Sequence, residues 1–111
     1  MKPGRLLSVA LAIVFLSMVV PVQAATVQIV MENLVISPAE ASAKVGDTIE
    51  WVNKDVFVHT ATANNGDFDL TLSPKKSATF VVTKAATVDY YCRYHPNMKA
   101  TLKIAGEGRC G

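Results

Sequence analysis

Residues 86–104 read ATVDYYCRYHPNMKATLKI. Two β-prone runs, ATVDYYC (86–92) and KATLKI (99–104), flank a short loop. Inside that loop Cys92, His95 and Met98 follow one another at intervals of three. Pro96 stiffens the loop and restricts His95 to extended backbone. Strand, loop, strand is therefore the reading here, with the chemically active side chains on the connection.

The rest of the chain has the same grain. TVQIV (26–30) alternates and is β-branched, and NLVIS (33–37) stops at Pro38, which breaks or edges a strand. Gly46-Asp47 signals a turn, after which Ile49 and Trp51 alternate with polar neighbours, so Trp51 is expected in the core. VHTATA (58–63) ends at Asn64-Asn65-Gly66, DFDLTL (67–72) ends at Ser73-Pro74, and SATFVVT (77–83) places Phe80 and Val82 on one face. Tyr90 and Tyr91 fall on opposite faces of their strand, so one is expected inside and one outside. No segment holds a 3.6-residue period over three turns. SPAEASAKV is the best helix candidate, but Pro38 and Gly46 confine it, and it reads as loop plus strand. About eight short segments at this spacing predict an all-β, antiparallel sandwich with Greek-key connections.

The N-terminus has a different character. Lys2 and Arg5 precede the uncharged run Leu6–Val20, and Val22-Gln23-Ala24 forms a small-x-small site after Pro21. This is the layout of a secretory leader cut after Ala24. The competing reading, a retained anchor, has an apolar run shorter than the ~20 residues a spanning helix needs. The expected organisation is a signal peptide at 1–24, one domain at 25–105 and a frayed tail at 106–111, with the mature chain in the periplasm and not inserted in the membrane. Without Lys2 and Arg5 the eleven basic residues fall to nine and balance the nine acidic ones. A neutral chain with no basic block does not suit nucleic acid. A domain this small gains from a staple or a metal.

The whole chain has two histidines and two cysteines. His59, on a strand near the middle, joins Cys92, His95 and Met98 to make two imidazoles, a thiolate and a thioether. That is the donor set of a type 1 copper site. Zinc suits His₂Cys but not the thioether, and c-type haem needs a C-x-x-C-H that is absent. No spare histidine remains for a trinuclear copper cluster or as a hydrolytic base, so an enzyme is not expected. A Cys92–Cys110 disulfide is the competing reading of Cys92. It leaves His59, His95 and Met98 without a role and anchors Cys110 among glycines, so Cys110 is expected to be a free tail thiol, able to link two copies on oxidation.

Across 25–105, GDTIEWVN, VHTATA and ATVDYYCRYHPNMKATLKI resemble small cupredoxins of the plastocyanin and amicyanin group. The C-x-x-H-x-x-M spacing is like the short ligand loop of amicyanins. The resemblance implies an eight-stranded Greek-key sandwich with one type 1 copper at one end, bound by His59, Cys92, His95 and Met98. It also implies one-electron transfer with redox proteins such as a c-type cytochrome, a quinoprotein dehydrogenase, a peroxidase or a reductase. By the same resemblance the edge of His95 is the electron port, ringed by Phe57, Val58, Tyr94, Pro96 and Asn97. Two departures stand out: Val58 where the family often has proline, and Thr60 where it often has asparagine. Thr60 can still give its N–H to the Cys92 sulfur. Tyr94, where amicyanins often have proline, is expected to give a second. A monomeric periplasmic electron carrier is the expectation, with a copper carrier or chaperone as the alternative and a disulfide-bonded, metal-free interaction module behind it.

Overall fold

The computed structural model describes residues 23–106. All but the last two residues of the expected leader, and the tail with Cys110, lie outside the described residues. Nine strands form: β1 (Thr26–Glu32), β2 (Val35–Ser37), β3 (Glu40–Lys44), β4 (Thr48–Asn53), β5 (His59–Ala63), β6 (Asp69–Leu72), β7 (Ser77–Val81), β8 (Ala86–Tyr91) and β9 (Lys99–Ala105). They make two sheets, ordered β2-β1-β4-β7 and β3-β9-β8-β5-β6. The chain passes repeatedly from one sheet to the other, as a Greek-key sandwich requires.

Turn chemistry sets the breaks. β1 and β2 are joined by Asn33 and Leu34, both at positive φ (56° and 62°), the conformation of a two-residue hairpin turn with a compatible twist. β2 ends at Ser37, immediately before Pro38, and the chain then crosses to the other sheet as β3. Gly46, at φ 98°, makes the β3–β4 turn that the Gly46-Asp47 pair predicts. SPAEASAKV is strand at Glu40–Lys44, not helix.

The pairing corrects one expectation. Two of the pairs are parallel, β1 with β4 and β3 with β9, although the segment pattern predicted an antiparallel sandwich. Alternation reveals which face a residue occupies but not which strand lies beside it. The extra strand over the expected eight comes from the 33–44 region, where β2 and β3 are short and belong to different sheets.

Trp51 is the centre of the core and is fully buried. In register it lies between Ile29 on β1 and the small Ala78 on β7. Its ring packs on Phe68 at 5.1 Å and edge-on to Tyr90 at 5.7 Å. Its indole N–H donates to the Tyr90 hydroxyl at 3.2 Å, which gives both buried polar atoms a partner. Burial raises the Tyr90 phenol to about 12, against a smaller lowering by the Trp51 hydrogen bond. Tyr91, on the other face, is half-buried, and Phe80 packs partly buried against the cluster. These aromatics lock β4 to β8, and β8 leads directly into Cys92.

Candidate metal centre

Three elements meet at one end of the sandwich: the first residue of β5, the β8–β9 loop, and the β4–β5 connection. His59 opens β5. Cys92 follows the last residue of β8. The loop from Cys92 to Met98 is closed by its own main chain, with Cys92 N–H donating to Met98 C=O (3.1 Å) and Met98 N–H to His95 C=O (2.8 Å). His95 therefore cannot drift from Cys92.

The side chains converge. His59 Nδ1 is 3.6 Å and His95 Nδ1 is 3.8 Å from Cys92 Sγ. The ligand atoms of all three residues lie within 4.8 Å of one another. The two imidazoles meet edge-on with centroids 5.0 Å apart. His59 and Cys92 are fully buried, His95 is half-buried, and Met98 is buried at the end of the loop. Cys92 is a free thiol. One thiol flanked by two inward-facing Nδ1 atoms, with a buried thioether on the same loop, fits a single type 1 copper ion and no other common metal as well.

One member of the site was not anticipated from the sequence. Asp55, four residues before His59, places Oδ2 2.8 Å from His59 Nε2. Its carboxylate also accepts the N–H groups of Asn33 (2.7 Å) and Leu34 (3.0 Å) from the β1–β2 turn. Burial pushes this carboxyl up, but the hydrogen bonds from His59, Leu34 and Asn33 outweigh it, and its pKa lies below the ordinary carboxylate value. A carboxylate on Nε2 fixes the ring's orientation and leaves Nδ1 free to face the Cys92 sulfur. Asn53, also fully buried, shapes the segment that carries Asp55. Its Oδ1 accepts the Asp55 N–H (2.9 Å), and its Nδ2 donates to the carbonyls of Phe57 (2.7 Å) and Leu72 (3.1 Å).

Thr60 meets its expectation: its N–H donates to Cys92 Sγ at 3.4 Å. Tyr94 does not. No hydrogen bond from Tyr94 to the sulfur occurs among the described residues. The first N–H beyond Cys92, that of Arg93, is held by Thr60 Oγ1 at 2.9 Å, and the loop then turns outward with Tyr94 59% exposed. Phe57 packs on the His95 ring at 5.7 Å and is 50% exposed, and its chain neighbours Val56 and Val58 are 68% and 38% exposed. Pro96 and Asn97 are exposed on the same loop.

Comparison with known proteins places the chain in a family. A family model described as a cupredoxin-like domain matches residues 5–104. Amicyanin of Paracoccus denitrificans is 30% identical over 71 residues, 59% of this chain and 54% of that protein, so the match spans about half the length of that relative. Among solved structures, an oxidised amicyanin variant superposes with a TM-score of 0.64 at 23% identity, over 70% of this chain and 80% of that one. A Cu(I) form of another amicyanin variant gives 0.64 at 23% identity, over 76% and 86%. Likeness at this identity speaks for the fold, and the family model speaks for membership: the chain belongs to the cupredoxin-like domain family and is a small cupredoxin.

Proposed function

We propose that this protein is a type 1 copper protein that carries single electrons between redox proteins of the periplasm. The observation that carries the reading is the convergence of His59 Nδ1 and His95 Nδ1 on the Cys92 sulfur in a pocket where one imidazole reaches the surface. His59, Cys92 and His95 would hold the ion, with the Met98 thioether as a weaker fourth donor. Bound copper would supply a one-electron couple between Cu(II) and Cu(I).

The chain's own residues would keep the site fixed while that couple turns over. Asp55 holds His59 from behind, the loop's internal hydrogen bonds hold His95 and Met98, and Thr60 holds the sulfur. A site so braced has little to rearrange when its charge changes. Water is excluded on the His59 side, while His95, beside Phe57, is the route by which an electron enters or leaves. An apolar rim of Val56, Phe57, Val58 and Tyr94 suits brief docking against a cytochrome, a dehydrogenase or another redox protein. Export follows from the leader at 1–24. The N–H of Ala25, which follows the proposed cut, donates to Asp47 Oδ1 at 2.9 Å, a contact that supports a domain starting near this residue.

Titration of the purified protein with Cu(II) tests the reading. An intense blue band, bleached reversibly by reductant and abolished in Cys92→Ser, is the result expected. A pale complex that gives up its ion freely would mean a copper carrier instead, and absence of binding would mean neither.

A further inference from the structure

Thr60 is the departure from the family pattern that lies against the sulfur, and its hydroxyl does not act alone. Thr60 Oγ1 is 2.9 Å from Thr62 Oγ1, and Thr62 Oγ1 is 2.9 Å from Asp69 Oδ1. Asp69 Oδ2 accepts from the Arg93 guanidinium at 3.0 Å, and the Arg93 main-chain N–H reaches Thr60 Oγ1 at 2.9 Å. The chain of contacts thus leaves Arg93 by its backbone and returns to it by its side chain.

Each hydroxyl has one proton to give, and this fixes the direction of the whole circuit. The Asp69 carboxylate can only accept, so Thr62 spends its proton there. Thr62 Oγ1 must then accept from Thr60, whose own proton is spent in turn. Thr60 Oγ1 is left as a pure acceptor facing the Arg93 N–H. Without the carboxylate the two hydroxyls could exchange roles, and in the reversed arrangement the proton of the buried Thr60 hydroxyl would point to neither Thr62 nor Arg93 and would have to find another acceptor. The exposed Asp69–Arg93 ion pair is itself of little energetic weight. What it contributes is an anchored acceptor at the end of the chain, which also polarises each bond along it.

We propose that Thr62 and Asp69 are positioning residues of the metal centre: they hold the Thr60 hydroxyl as an acceptor, pin the residue after Cys92 to β5, and so keep the Thr60 N–H on the Cys92 sulfur. Thr62 faces Tyr91 across the β5–β8 pairing, one residue from Cys92, so the relay acts on the segment that carries the thiolate. As an influence on copper, the inference rests on the copper reading above. As an influence on Arg93, it does not.

The test separates the two. Amide hydrogen exchange is measured on the metal-free protein for wild type, Thr62→Val and Thr62→Ser. Valine keeps the shape and β-branching of threonine, and serine keeps the hydroxyl. The Arg93 amide is expected to exchange about tenfold faster in Thr62→Val, the scale of one lost hydrogen bond, and to recover in Thr62→Ser. Asp69→Ala is expected to reproduce the valine effect, and the double variant to add little to it. In the copper-loaded protein the reduction potential and the sulfur-to-copper absorption band should shift in Thr62→Val and return in Thr62→Ser. Thr101→Val is the control, because Thr101 Oγ1 also donates to an aspartate, Asp89, at 2.7 Å, but on the β8–β9 pairing away from the site. Its potential should be that of wild type. Unchanged Arg93 exchange in Thr62→Val, or a potential that moves equally in Thr101→Val, overturns the relay. A wild-type protein that takes up no Cu(II) overturns the copper reading, and the exchange comparison still decides the relay.

Discussion

His59 Nε2 lies 2.8 Å from Asp55 Oδ2, and the same carboxylate closes the β1–β2 turn through the Asn33 and Leu34 N–H groups. The imidazole that faces the Cys92 sulfur is therefore tied to a hairpin in the other sheet. Asp55→Ala should weaken copper binding by about 10–100-fold, as loss of a carboxylate behind a ligating histidine generally does. Competition with a chelator of known affinity measures this. Equal affinity in the variant would mean that the loop alone orients His59.

Trp51 and Tyr90 predict an alkaline limit to stability. The Tyr90 phenol is raised from 10.0 to about 12 by burial. The unfolded chain gives up this proton first, so the stabilising contribution is whole below pH 10 and is lost as pH rises towards 12. Two units correspond to roughly 3 kcal/mol at most. Denaturant unfolding of wild type and Tyr90→Phe across that interval should show a steeper decline in wild type. Parallel declines would place the alkaline sensitivity elsewhere.

At neutral pH, Trp51→Phe removes the indole donor and leaves the Tyr90 hydroxyl buried without it. A loss of about 1–3 kcal/mol is expected, mostly the cost of an unsatisfied buried group. Equilibrium unfolding measures it, and a loss within error would show that the hydroxyl finds another partner.

The sequence made the clustering of Cys92 and His95 readable because it is local: three nitrogen or sulfur side chains within seven residues, on a connection stiffened by Pro96. Trp51 was readable because alternation in TIEWVN is strict. Asp55 was missed because its partners are a histidine four residues on and two main-chain N–H groups some twenty residues back. A signal existed in the D-x-x-x-H spacing of DVFVH, a carboxylate set before an apolar run that ends in a histidine. Asn53 looked like an ordinary strand end, since its importance depends on Leu72, distant in the chain. The parallel neighbours of β1 and β3 were hidden for the same reason, since pairing is a relation between distant segments. Tyr94 failed because donor capacity was inferred from the absence of proline, whereas direction depends on how Arg93 is held.

On the acid side the relevant group is Asp47. Its carboxyl is lowered from 3.8, first by the Ala25 N–H and next by the Lys44 N–H, at 2.9 Å each. A depressed carboxyl gives stability that is present above 3.8 and is lost as pH falls below that value. Thermal melts at falling pH should converge for wild type and Asp47→Ala at the acid end and diverge near neutrality. A constant gap between the two would mean that Asp47 acts through shape and not through charge.

If His95 is the electron port, the surface around it should set how electrons are exchanged between copies of the protein. Phe57 is exposed against the His95 ring, Tyr94 is exposed one residue before it, and the Arg93 charge on the same loop is paired with Asp69. With residues 25–111 carrying no net charge, two such rims should meet without strong attraction or repulsion. Electron self-exchange, read from NMR line broadening in mixtures of oxidised and reduced protein, should then vary by less than about tenfold between low and high salt. Phe57→Lys places a like charge on both faces of the encounter. Its self-exchange should be slower at low salt and recover as salt screens the repulsion. A steep salt dependence in wild type, or a Phe57→Lys variant that exchanges as wild type does at every ionic strength, would move the electron port away from His95.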